Sequence, residues 1–189
     1  MPSTEPFLDA DSRLTLREIA ATSIAEGLTQ RRGLELVAAD YAQALQASRA
    51  TFVTLYKGGE LRGCIGTLEA RRPLVADVAY NAFAAAFRDP RFMPVQSDEI
   101  AALDLHISVL GRPEPLRCVD QDDLLAQLRP GLDGLILELG GQRGTFLPSV
   151  WESLPQPEAF LAHLKIKAGL AASDWSSDIR VWRYTTESF

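Results

Sequence analysis

The residues best suited to chemistry in this chain sit in one run, "ELRGCIGTLE", residues 60–69. Cys64 is one of two cysteines, the other being Cys118. Gly63 precedes it, Gly66 follows two residues later, and Arg62 stands two residues upstream. The thiolate is the nucleophilic and metal-binding form of cysteine, and a nearby guanidinium favours it. Glycines flanking such a thiol leave room for a bulge, or for a ligand or a second backbone to come close. The pattern is that of a reactive or ligand-facing thiol with Arg62 as its anion partner. A free cysteine also packs commonly as a small buried hydrophobe. A helix laid over this strand would need the same bare glycines, so both readings stand on the residues alone.

The other chemically capable residues are sparse. Asp89 and Arg91 fall in "RDPRF", a loop directly after a helical segment, where binding residues concentrate. The same pair would equally serve as a helix cap with an internal ion pair. His106 alternates with Asp104 and Ser108 on one face of a strand and could be a base for Cys64 only within hydrogen-bond reach. His163 reads as a helix-surface residue and Cys118 as structural. Two cysteines and two histidines without ligand spacing make no zinc site. "ELGGQRGTF" lacks the strand–helix setting of a nucleotide loop. No cofactor motif is present, and the cofactor stays unassigned.

Elements must position these groups. "TFVTLYK" alternates and is rich in β-branched and aromatic residues, and Gly58–Gly59 suits a two-residue hairpin turn. "ELRGCIG" is then the return strand. Counting back from that turn sets Lys57 opposite Glu60, Leu55 opposite Arg62, and Val53 opposite Cys64. One face would carry Phe52, Thr54, Tyr56, Leu61 and Ile65 as the core. The other would carry Val53, Leu55, Arg62, Cys64 and Gly66. Residues 12–30 predict a helix, as do 74–87 behind Pro73 and 157–168 behind Pro157. "SDEIAAL" predicts a short helix capped by Ser97, "LDLHISVL" an alternating strand, "RPEPL" a loop, "DQDDLLAQLR" a short helix, "DGLILELGGQRGTF" a second hairpin and "DIRVWRYT" a closing strand. The stretch "GLELVAADYAQALQAS" is left open between helix and extended chain. Hairpins alternating with helices give an α+β fold with antiparallel pairing.

The bulk numbers set the class. A chain of 189 residues, 47% hydrophobic and 23% charged, is a globular protein. Residues 1–12 read as a frayed tail without signal-peptide features. No apolar run approaches the about 20 residues that span a bilayer, which points to the cytoplasm. With 19 basic and 25 acidic residues, and a net charge of −6, the chain lacks a nucleic-acid footprint.

Several motifs in order resemble a known family. "LRGCIG" (61–66) is followed by "RPLVADV" (72–78), "DPRF" (89–92), "ISVL" (107–110), "DG" (133–134), "TFLPSVW" (145–151), "FLAHLKIKAGL" (160–170) and Trp175. Together they resemble the AMMECR-type domain, also known as the AmmeMemoRadiSam system protein A family. Ser149 stands where that family often has glutamine. The resemblance covers nearly the whole chain and implies one domain over residues 1–189. It implies two interlocked β-β-α-β-type units, flanked by helices, in a larger lobe from both termini and a smaller middle lobe. It implies no known reaction and no cofactor. Its partners by association are a Memo-like protein and a radical S-adenosylmethionine enzyme. On that reading Cys64, Arg62, Gly63, Gly66, Asp89 and Arg91 form a small-molecule or thiol-dependent site. The alternatives are a non-catalytic binding module and, against the charge balance, a nucleic-acid-associated regulator.

Overall fold

The structure, a computed structural model, describes residues 8–189. The tail expected over residues 1–12 therefore lies partly outside the described residues. Within them Leu8 is buried, and α1 (Ala10–Gln30) begins two residues before the expected start. Asp9 caps it, its carboxylate accepting from Ser12 N at 2.8 Å. Leu16, Ile19, Ala20 and Ile24 recur at helical spacing and form its buried stripe. The stretch left open holds only a 3-10 turn and the short α2 (Gln43–Gln46).

The chain divides into two compact units. One comprises the described residues up to Leu110 together with Glu187–Phe189; the other is Gly111–Thr186. In the first, β1 (Thr51–Lys57) and β2 (Glu60–Gly66) form the expected hairpin, with Gly58 and Gly59 at φ 61° and 82°. Then come α3 (Leu74–Phe87) and β3 (Leu103–Leu110). The C-terminal strand β8 (Thr186–Ser188) closes the sheet, in the order β2-β1-β3-β8. Ile107 and Phe189 exchange both backbone bonds, at 2.9 and 3.0 Å. Both α1 and α3 pack on one face of this sheet, over Val53, Leu55, Ile107 and Val109. The alternation read in β3 is right: Ile107 and Val109 are fully buried while Asp104 and His106 are exposed.

"SDEIAAL" is a correction. It forms a turn and a 3-10 segment, Ile100–Ala102, with no cap from Ser97. The carboxylate of Glu99 is drawn instead to Arg62, Lys57 and the backbone N–H of Gln96.

The second unit carries β4 (Glu114–Leu116), α4 (Gln121–Gln127), β5 (Gly134–Leu139), β6 (Gln142–Phe146), α5 (Pro157–Lys167) and β7 (Arg180–Tyr184). Its sheet order is β4-β7-β5-β6. The expected loop "RPEPL" is thus a short strand, and Pro115 is tolerated there because β4 is an edge. Trp151 stacks on Phe160 with ring centroids 3.8 Å apart, over Leu135, Leu137, Leu164 and Val181. Hairpins, helices and two four-stranded antiparallel sheets make the fold α+β, as expected.

Candidate functional site

The face on which Cys64 lies is decided by a bulge. Lys57–Glu60 and Tyr56–Leu61 pair as expected, but then the register shifts. Leu55 pairs with Gly63, Thr54 with Cys64, Val53 with Ile65 and Phe52 with Gly66. Arg62 is the extra residue of the bulge. The expected core face is reversed along β1 and at Leu61 but kept at Ile65. Val53 and Leu55 are fully buried, with Ile65 packed against the same cluster, while Leu61 is 39% exposed. Cys64 does lie off the core, but beside Thr54 and not beside Val53 and Leu55. Its sulfur is 3.2 Å from Thr54 Oγ1, within hydrogen-bond reach.

The backbone of Cys64 is clamped by Asp89 and Arg91. Strand β2 is an edge, so its outward N–H and C=O groups have no strand to pair with. Asp89 Oδ2 accepts from Cys64 N at 2.8 Å, and Arg91 Nη2 donates to Cys64 O at 3.1 Å. The two clamp residues also hold each other. Arg91 Nη2 donates to Asp89 Oδ2 at 2.7 Å, and Arg91 Nε donates to Asp89 Oδ1 at 2.9 Å. Arg91 N turns back onto the same Oδ1 at 3.1 Å. These bonds, Arg91's foremost, hold the Asp89 carboxyl well below the usual carboxylate range. The carboxylate is 2% exposed, so the network is sheltered on one side and open on the Arg91 side.

Arg62 has a different anion from the one expected. Its guanidinium forks onto Glu99, with Nε 3.0 Å from Oε1 and Nη2 2.9 Å from Oε2. Lys57 Nζ reaches Glu99 Oε1 at 2.9 Å. These bonds, Arg62's first, press the Glu99 carboxyl down strongly. A bidentate guanidinium–carboxylate pair fixes Arg62 in place. The physical reason for the difference is the bulge, which takes Arg62 out of the alternation that would have set it beside Cys64.

The two glycines differ in role. A Cβ on Gly63 would stand 2.2 Å from the carbonyl oxygen of Ala85, so its bareness admits the backbone of α3. A Cβ on Gly66 would meet the Phe52 ring at 2.3 Å and Thr51 O at 2.5 Å. The structure thus brings Cys64, Asp89 and Arg91 together, holds Arg62 in a separate ion cluster, and fills the space above both glycines with protein.

His106 pairs with Thr54 on the strand beyond, so Cys64, Thr54 and His106 form one cross-strand row. Two strand spacings, roughly 9–10 Å, separate the outer members. His106 instead contacts Asp104 Oδ2 at 2.9 Å and the edge of Tyr56. Among the described residues no group of three or more His, Cys, Asp or Glu could hold a metal. His163 is exposed, as expected, and Cys118 packs beside the second core.

Sequence reasoning missed Glu99, Thr54 and a buried polar staple at the base of the hairpin. Asp77 accepts from Thr51 N and Oγ1, Asn81 Nδ2 and Arg72 Nη1 at 2.8–3.2 Å. Burial pushes its carboxyl up, against Thr51 and Arg72, which pull it down. An acid and an amide at i and i+4 on the inward side of an otherwise apolar helix were the available signal.

Comparison with known proteins agrees with this fold. A relative from Methanothermobacter thermautotrophicus is 38% identical over 188 residues, covering 96% of this chain and 95% of its own. A relative from Thermotoga maritima is 39% identical over 140 residues, covering 73% and 75%. The crystal structure of an uncharacterized protein from Pyrococcus horikoshii superposes with a TM-score of 0.80 at 33% identity, over 92% of this chain and 88% of that one. The AMMECR1 family matches residues 17–189, and the chain belongs to it.

Proposed function

We propose that this protein is a binding component and not a catalyst that acts alone. Its working surface is the sheet face carrying Cys64, Thr54, Tyr56 and His106. The observation that carries this reading is the engagement of the nearby charges. Asp89 and Arg91 are tied to each other and to the backbone of Cys64, and Arg62 is tied to Glu99. General acid–base catalysis needs a proton-transfer group within about 3 Å of its target. The thiol's polar neighbours are the Thr54 hydroxyl and the Arg91 guanidinium, and neither is a base at neutral pH. The arrangement suits presenting a thiol in a fixed place, with aromatic and polar neighbours for a ligand.

By the family association, the partners on this reading are the Memo-like protein and the radical S-adenosylmethionine enzyme, with the protein in the cytoplasm. No described helix is long and apolar enough to cross a membrane. The test is titration of the protein with each purified partner. Cys64→Ser and Thr54→Val should keep the fold and weaken binding of at least one partner by about tenfold, equal to about 1.4 kcal/mol. Unchanged affinity for both partners in both variants would overturn the proposal.

A further inference from the structure

Two hollows lie in the same unit, on its helical side. A cavity of about 470 Å³ is lined by Gly27, Phe83, Phe87 and Val95, with Arg31 and Arg88 at its rim. Its lining contains no acidic residue. Next to it, sharing Phe83 and Arg88, is a second hollow of about 540 Å³ that adds Arg32, Arg72 and Tyr80, with Glu35 as the acid. The volumes are those of small-molecule pockets.

Three observations converge here. The first is uncompensated charge. Arg31 and Arg88 are exposed and form no ion pair among the described residues, in a chain of net charge −6. The second is orientation. The Arg88 guanidinium lies over the Phe83 ring, 4.9 Å from its centroid, and Arg72 lies over Tyr80 at 4.0 Å. Stacked guanidinium groups are held flat, with their donors directed outward at little entropic cost. The third is backbone strain. Arg31 is the one non-glycine residue with positive φ among those described, at 57°. It ends α1 in the left-handed conformation that glycine adopts freely. An arginine there costs conformational energy that a glycine would not. Favourable alignment of a cation with the end of a helix explains one arginine at a time. It does not explain two unpaired arginines converging on one apolar hollow.

We propose that this hollow binds a small amphipathic anion. Its apolar or aromatic body lies against Phe83, Phe87 and Val95, and its phosphate or carboxylate head meets Arg31 and Arg88. The site is independent of the Cys64 face.

The probe is phenyl phosphate, followed by amide chemical shifts of Leu28, Phe87 and Val95, with inorganic phosphate and benzyl alcohol as the head-only and body-only arms. Phenyl phosphate should give saturable shifts and bind at least about tenfold tighter than either fragment, since both halves of the site are used. Arg88→Gln should weaken it about tenfold, the loss of one charged hydrogen-bonding partner. Arg31→Gly is the sharper variant. It should weaken binding similarly while leaving Tm equal or higher, because the strain is gone. Absence of saturable shifts, equal affinity for phenyl phosphate and inorganic phosphate, or wild-type affinity in Arg31→Gly would each overturn the proposal.

Discussion

Gly63→Ala is expected to destabilise the unit containing the first sheet by about 3 kcal/mol or more, a large part of the roughly 5–15 kcal/mol that holds a domain folded. The added Cβ would stand 2.2 Å from the Ala85 carbonyl oxygen and 3.1 Å from its carbon. The obstacle is helix backbone, which cannot swing aside as a side chain can. Moving α3 away would also open the contacts of Val75, Val78 and Ala82 in the core. Denaturant unfolding measures the effect directly. The outcome separates two meanings of the glycine. If Gly63 were bare to let a ligand approach, alanine would leave the midpoint unchanged and impair binding. If it is bare to admit α3, the midpoint falls.

Asp89→Ala should cost about 2–3 kcal/mol. The variant leaves Cys64 N, an edge-strand donor, without its acceptor and deprives Arg91 of its carboxylate. Arg91 is 54% exposed and can return to water, so most of the loss arises at the Cys64 amide. The pH dependence carries a further signature. The folded Asp89 carboxyl titrates below its unfolded value, so its stabilisation is complete above the unfolded carboxylate pKa of about 4 and is lost as pH falls through the folded value. Glu99 acts with the same sign. Wild-type stability should therefore fall below about pH 4. Asp89→Ala should flatten part of that limb, leaving the share due to Glu99. An unchanged midpoint and an unchanged acid limb would show that the clamp contributes nothing.

The parts of the fold legible in the sequence were those governed by periodicity and turn chemistry. Gly58–Gly59 marked the hairpin, Pro73 the start of α3, and Leu103, Leu105, Ile107 and Val109 the inward face of β3. That Cys64 lies off the core was legible; its cross-strand neighbour was not, because one bulged residue shifts the pairing beyond it. "TFVTLYK" offers two plausible apolar faces, and by side-chain size alone the aromatic set outweighs Val53 and Leu55. The buried pair is aliphatic because it lies beneath the small residues of α3, Ala82, Ala85 and Ala86 among them. The site was half legible. Asp89 and Arg91 stood out as a charged pair after a helix, and they do form an ion pair. That the pair would grip the backbone of Cys64 depends on β2 lying at a sheet edge, which strand order decides and local sequence does not. Glu99 was hidden for a similar reason. Its partners Lys57 and Arg62 are about 40 residues away in the chain, and an acid near a 3-10 turn reads locally as a cap.

We propose that Asp89 and Arg91 hold Cys64 so that its thiol is offered to ligands, while Cys118 stays structural. The most direct measurement is the rate at which each cysteine of the native protein is alkylated by iodoacetamide, resolved by peptide mass spectrometry near neutral pH. Burial first, then Asp123 and Asp120, pushes the Cys118 thiol up and keeps it protonated. The expected result is that Cys64 is modified about tenfold faster or more than Cys118, the difference vanishing on unfolding. Equal labelling of the two thiols in the folded protein, or faster labelling of Cys118, would contradict it.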